Sequence, residues 1–168
     1  MKRLVISLTM ALLLVAVMTA PVMALEGTVD AGVTVNEFVS VTITDQNSDG
    51  IQFGTVNPDT NDNPDQSQST ASDVDPSVVI AIDAITNTNC NVSVKGTDFD
   101  VVELPLANAS WSLTYDGAKT VMTTGYVSMA TGVVPGNAIN MFNFLTIPDT
   151  TDAGTYGSTY TFEVVPTT

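Results

Sequence analysis

The stretch that decides the fold is "EGTVDAGVTVNEFVSVTITD", residues 26–45. Between Val29 and Ile43 every odd position is apolar except Glu37: Val29, Ala31, Val33, Val35, then Val39, Val41 and Ile43. Side chains along a β-strand alternate between two faces, so a hydrophobic period of two describes a strand with one buried face. The stretch predicts one long strand or two short ones. It also poses a question: whose sheet does this strand complete, its own or a neighbour's?

The same period recurs downstream. "IQFGTV" (51–56) reads as a strand, and "SVVIAIDAI" (77–85) as a central one. "NVSVKG" (91–96) follows, then a strand around Trp111 to Tyr115 closed by an Asp116-Gly117 turn. "KTVMT" and "GYVSMA" suggest a hairpin across Thr123 and Thr124. "NAINMFNFLTIP" (137–148) and "YGSTYTFEVV" (156–165) supply the last two runs. No stretch beyond residue 24 holds an apolar period of 3.6. Eight or nine strands at short, regular spacing predict an all-β, two-sheet sandwich of jelly-roll or immunoglobulin-like type. One segment breaks the pattern. Residues 57–76, "NPDTNDNPDQSQSTASDVDP", are rich in Asp, Asn, Ser and Pro and predict a long exposed loop.

The first residues address the compartment. Lys2 and Arg3 precede the apolar run "LVISLTMALLLVAVM", and Val22 and Ala24 stand at −3 and −1 of a cleavage point. This is signal-peptide grammar, with residues 1–24 removed. The alternative, an uncleaved anchor, needs about 20 apolar residues. A type IV pilin is excluded by order, because its apolar helix follows the cleavage site. Residues 25–168 are then expected to form a single secreted domain, extracellular or on the cell surface, with no further membrane span.

Beyond residue 24 two lysines face 18 acidic residues, a net charge of −16. Such a surface repels nucleic acid and attracts cations. Cys90 is the single cysteine, so no intramolecular disulfide forms. It reads as a buried inert thiol, with an intermolecular bridge as the alternative.

With no histidine, the Ser-His-Asp triad and histidine zinc sites are excluded. Paired carboxylates such as Asp98 with Asp100 and Glu103 could serve a glycosidase. They lie in "KGTDFDVVELP", which reads as a turn between strands, so no enzyme is expected. Asp45, Asn47 and Asp49, with Gly50 next, match the first half of a calcium loop. The twelfth position is Val56 instead of Glu, and a β-turn accounts for the same residues. Asp59, Asp62 and Asp65 could complete such a site from the next loop. Calcium is the one cofactor this pattern suggests. Asn91 and Asn108 open glycosylation triplets. Nothing in the spacing supports an isopeptide bond from Lys95 or Lys119.

The opening strand remains. Residues 38–44 connect tightly to the next strand, whereas "EGTVDAGVTVN" is tethered only at its C-terminal end. Such a segment can fold back or add to a neighbour's sheet, gaining main-chain hydrogen bonds and pockets for alternate side chains. Repeated head to tail, strand addition gives an open filament.

Taken with "ITDQNSDGIQFGTVNPDT", "VVIAIDAITNTNCNVSVKGTDF", "LPLANASWS" and "DAGTYGSTYTFEVV", the chain resembles secreted archaeal β-sandwich proteins. It is broadly similar to matrix-fibre subunits of the TasA and camelysin type and to archaeal bundling pilins. The resemblance implies a jelly-roll-like subunit whose N-terminal strand (25–37) inserts into the next subunit, building biofilm fibres or pili as a homopolymer. It places the donor role on Val29, Ala31, Val33 and Val35; Glu37 interrupts the apolar face. The alternative is a monomeric, calcium-dependent adhesion or binding module using the acidic loops 45–75.

Overall fold

The computed structural model describes residues 32–46, 48, 50–66, 75–99 and 104–167. The chain divides into two units, Met1–Val35 and Asn36–Thr168. Of the first, only 32–35 are described, and they lie outside any strand. The signal segment, Val29 and Ala31 fall outside the described residues.

The second unit is all-β, with nine strands among the described residues. They are β1 (Val41–Asp45), β2 (Thr60–Pro64), β3 (Val78–Ile82), β4 (Cys90–Gly96), β5 (Ala109–Ser112), β6 (Thr120–Val121), β7 (Val127–Val133), β8 (Ala138–Ile147) and β9 (Tyr160–Pro166). Six strands form one sheet in the order β1-β3-β8-β5-β6, with β2 also paired to β8. Three form the other, β7-β4-β9. All pairings are antiparallel. The expected two-sheet sandwich is therefore the observed architecture.

Alternation explains who meets in the middle. Val78, Ile80 and Ile82 of β3 and Cys90, Val92 and Val94 of β4 are all buried, and the residues between them are half-buried. Met141, Leu145 and Ile147 of β8 join them, with Trp111 from β5. Packing this row removes apolar surface from water, at about 25 cal/mol per Å². Gly96 closes β4 because nothing larger fits: a Cβ there would lie 2.9 Å from Leu106 Cδ1 and 3.0 Å from Met122 Cγ.

A smaller apolar cluster lies apart from this core. Tyr115 packs edge-on to Phe142 (6.2 Å between centroids) and tilted on Phe144 (5.8 Å). Lys119 Nζ sits 3.9 Å above the Phe144 ring and 3.0 Å from Asp62 Oδ1. On the other sheet Lys95 Nζ lies 4.4 Å from the Tyr126 ring centre.

Four expectations are corrected. Residues 57–76 are not loop throughout: Thr60–Pro64 form β2 against Phe144–Ile147. The Asn63 side chain donates to the Leu145 carbonyl (2.8 Å), and Asp65 is fully buried, accepting from the Gln52 N–H (2.9 Å). Conversely, 51–56 is not a strand. "KTVMT" and "GYVSMA" do not form a hairpin, because β6 and β7 belong to different sheets. Met122, 1 % exposed, drops into the core between them and the chain crosses over. Finally, the Trp111 strand spans Ala109–Ser112, ending where Ser112 Oγ donates to the Thr114 carbonyl to start the turn.

Candidate functional site

Among the described residues, one side of the sandwich is less covered than the rest. In β1, Val41 faces the same way as its partner Ile82, and Ile43 the same way as Ile80. Ile80 and Ile82 are buried, so Val41 and Ile43 stand on the core-facing side of the sheet. Yet they are 37 % and 47 % exposed. The same holds across the gap. Phe162 and Val164 of β9 pair with the buried Val94 and Val92, but are themselves only half-buried.

β1 and β9 are both edge strands among the described residues. A groove of about 890 Å³ runs between them, lined by Ile43, Val78, Leu145, Tyr160 and Phe162. Ile51, Phe53 and Val56 pack half-buried against the core along its wall. The apolar character of "IQFGTV" is thus used for lining instead of pairing. Gln52 explains why: its N–H goes to the Asp65 carboxylate, and its carbonyl accepts from the Gln66 N–H (2.7 Å). Burial pushes the Tyr160 phenol well above its ordinary range.

Such a groove suits one more strand. β9 turns alternate backbone groups away from β4, and these form a template for pairing. Beside that edge lie the apolar side chains of Ile43, Val78, Leu145 and Phe162, with polar residues such as Thr151 and Thr159 also on the wall. β9 is seven residues long and carries four core-facing positions, Tyr160, Phe162, Val164 and Pro166. Residues 29–35 are also seven, with four apolar odd positions. Within this segment Val33 and Val35 are 88 % and 74 % exposed.

At one end of the sandwich the chain into β1 is firmly held. The Asn87 side chain donates to the Asn36 carbonyl (3.0 Å) and accepts from the Phe38 N–H (2.8 Å). Ser40 Oγ and Thr42 Oγ1 donate to the two oxygens of Asp83 at 2.6 and 3.1 Å. Residues 36–42 are anchored in this way although β1 is poorly buried.

The other expected site residues that are described lie on different elements. Asp45 accepts from the Gly50 N–H, closing a turn in which Ser48 and Gly50 take positive φ (63° and 86°). Asn47 and Asp49 lie outside the described residues. Asp62 is engaged by Lys119, and Asp65 accepts from the Gln52 N–H. Among the described residues no three metal-ligating side chains come together. Asp98 is exposed, while Asp100 and Glu103 are outside the described residues.

Asn91 lies in β4, where its Oδ1 accepts from the Gly132 N–H (3.1 Å). Asn108 ends a short 3-10 turn, and its amide nitrogen is buried. Cys90 is fully buried, and desolvation, then the charge of Glu37, raise its thiol pKa. The buried thiol expected from the sequence is the one observed. Lys119 and Asp62 form an ion pair open to solvent, 29 % and 58 % exposed, without the enclosure that condensation to an amide requires.

Sequence reasoning missed the groove along β9. The signal was present in β9, whose alternation is as regular as that of the opening strand. No protein-family model, no curated protein and no solved structure matches the chain. The likeness to matrix-fibre subunits rests on the sequence motifs.

Proposed function

We propose that this chain is a secreted, non-enzymatic structural subunit of an extracellular fibre, pilus or surface matrix, assembled from copies of itself. Residues 29–35 of one subunit lie in the groove between β1 and β9 of the next. The single observation that carries this reading is the incomplete cover of core-facing residues on both edges: Val41 and Ile43 are exposed on β1, and Phe162 and Val164 are only half-buried on β9. A sheet interior left half-covered beside an unpaired strand edge is an aggregation liability unless a partner covers it. The same chain carries an alternating apolar segment whose described part, Val33 and Val35, is itself uncovered.

The energetic logic is that of strand addition. Main-chain hydrogen bonds to β9 supply affinity, and Val29, Ala31, Val33 and Val35 fill the apolar floor. The contact joins two different surfaces of the subunit, so it propagates without closing and yields a filament.

Electron microscopy of protein beginning at Leu25, beside a variant lacking residues 25–36, tests this reading. Regular fibres from the first and folded, dispersed monomers from the second are expected. Fibres from the shortened variant, or dispersed particles from both, would overturn it. Adding calcium or chelator to each sample separates the calcium-dependent module, which would show a rise in melting temperature with the metal.

A further inference from the structure

The end of the sandwich at which Asn36 enters carries an apolar cap. Phe38 is 51 % exposed, Ile85 70 % and Val134 51 %. They sit on three neighbouring segments that the structure ties together. Phe38 exchanges backbone and side-chain hydrogen bonds with Asn87. The turn holding Ile85 is closed by the Thr86 N–H on the Asp83 carbonyl (2.9 Å). The Val134 turn docks on the end of β3: the Gly136 N–H donates to the Ile82 carbonyl (2.8 Å), and the Ile82 N–H to the Asn137 carbonyl (2.9 Å). A Cβ on Gly136 would lie 4.0 Å from that of Ala84. Three large apolar side chains are thus exposed on adjoining loops of one end.

Strand directions say what covers this cap. The Thr167 N–H donates to the Asn89 carbonyl (2.8 Å), so the C-terminal end of β9 lies at the same end as Asn87 and Phe38. Tyr160 lies at the far end, where Gly96 pairs with it and the Thr97 N–H donates to the Thr159 carbonyl. β9 therefore runs towards the cap. Residues 29–35 precede Asn36, so their C-terminal end is fixed at the cap. Folded back into its own groove, the segment would run towards the cap too, parallel to β9. Passed outward into a second copy stacked on the cap, it enters at that copy's Tyr160 end and runs antiparallel to its β9. Antiparallel pairing is the more stable per residue, and every other pairing in the fold is antiparallel.

We infer that the cap of Phe38, Ile85 and Val134 is an end-on interface with a second copy of this chain, seated on the Tyr160 end of that copy's groove. This rests on the strand-exchange reading and deepens it. It fixes the polarity of the fibre, gives each junction a contact besides the strand, and explains why the strand leaves its own subunit. The receiving rim is Asp152–Tyr156, which lines the mouth of the groove and is exposed through Thr155.

The test is cross-linking in the full-length chain processed to Leu25. A double variant, Ile85→Cys with Thr155→Cys, is assembled and oxidised, and denaturing gels are run without reductant. Cys90 is buried and leaves the readout clean. A ladder of covalent oligomers is expected from the double variant, and none from Ile85→Cys alone. Dimers from Ile85→Cys alone would mean cap against cap and overturn the inference, as would the absence of a ladder. Hydrogen exchange of the β9 amides in assembled against dispersed protein separates the two claims. Protection of β9 without a ladder leaves strand exchange standing and removes the end-on contact; unprotected β9 amides remove both. Ile85→Glu with Val134→Glu gives an independent check. Both sites are exposed, so the monomer should melt unchanged while assembly is lost; unchanged assembly overturns the inference.

Discussion

Val33 offers a clean separation of folding from assembly. It is 88 % exposed, so trimming it to alanine removes almost no packing from the subunit, and surface changes of this kind stay within about 0.5 kcal/mol. In the proposed junction the same side chain is buried on the floor of the groove beside Ile43 and Phe162. Val33→Ala removes two methyl groups' worth of apolar burial, about 1.6 kcal/mol at about 0.8 kcal/mol per group. At about 1.4 kcal/mol per factor of ten, the critical concentration for assembly should rise about 15-fold. Thr34 points to the opposite side of the inserted strand, so Thr34→Ala is the matched control and should shift assembly little. The assay is pelleting across a concentration series at fixed salt, with thermal melts of the dispersed protein alongside. Equal critical concentrations for Val33→Ala and the unaltered chain would refute the burial of Val33. So would an equally large shift from Thr34→Ala, which would point to a non-specific surface effect.

Three other outcomes follow from the same geometry. Gly96→Ala should cost about 1–3 kcal/mol, read as a lower urea midpoint, because the new methyl meets Leu106 and Met122; an unchanged midpoint would mean the core relaxes freely there. Asp83→Ala removes the acceptor of Ser40 and Thr42, worth about 1–2 kcal/mol, and should speed exchange of the β1 amides while β4 stays protected. Burial raises the Cys90 thiol and the Tyr160 phenol above their ordinary 9.0 and 10.0, so the folded chain holds protons that the unfolded chain releases. That stability is fully present below about pH 9 and is lost as pH rises. The melting temperature should therefore fall less steeply above about pH 9 in a Cys90→Ala, Tyr160→Phe variant than in the unaltered chain.

Strands carried by a clear apolar pattern, β3, β4, β8 and β9, could be read directly from sequence. What escaped were elements whose conformation is decided by a few polar contacts. "TNDNP" is poor strand sequence, with Asp62 at positive φ, and becomes β2 through Asn63 on Leu145 and the buried Asp65. "IQFGTV" has good strand pattern and fails as one because Gln52 is claimed by Asp65 and Gln66. The β6–β7 pairing looked local, but Met122 had to enter the core, and burial outweighed proximity. The alternation of residues 29–35 is local in sequence and was legible. The groove combines β1, β3, β8 and β9, which only the tertiary fold brings together.

The two lysines set over aromatic rings carry a consequence for how long the protein survives proteolysis. After position 24 the chain has no arginine, and Lys95 and Lys119 are its only basic side chains. Digestive enzymes that cut after basic residues thus find two bonds in the entire domain, and they need several residues of free, extended chain around each. One bond lies inside β4, between two partner strands, and the other follows a side chain held by Phe144 and Asp62. A chain built this way persists among such enzymes for as long as it stays folded.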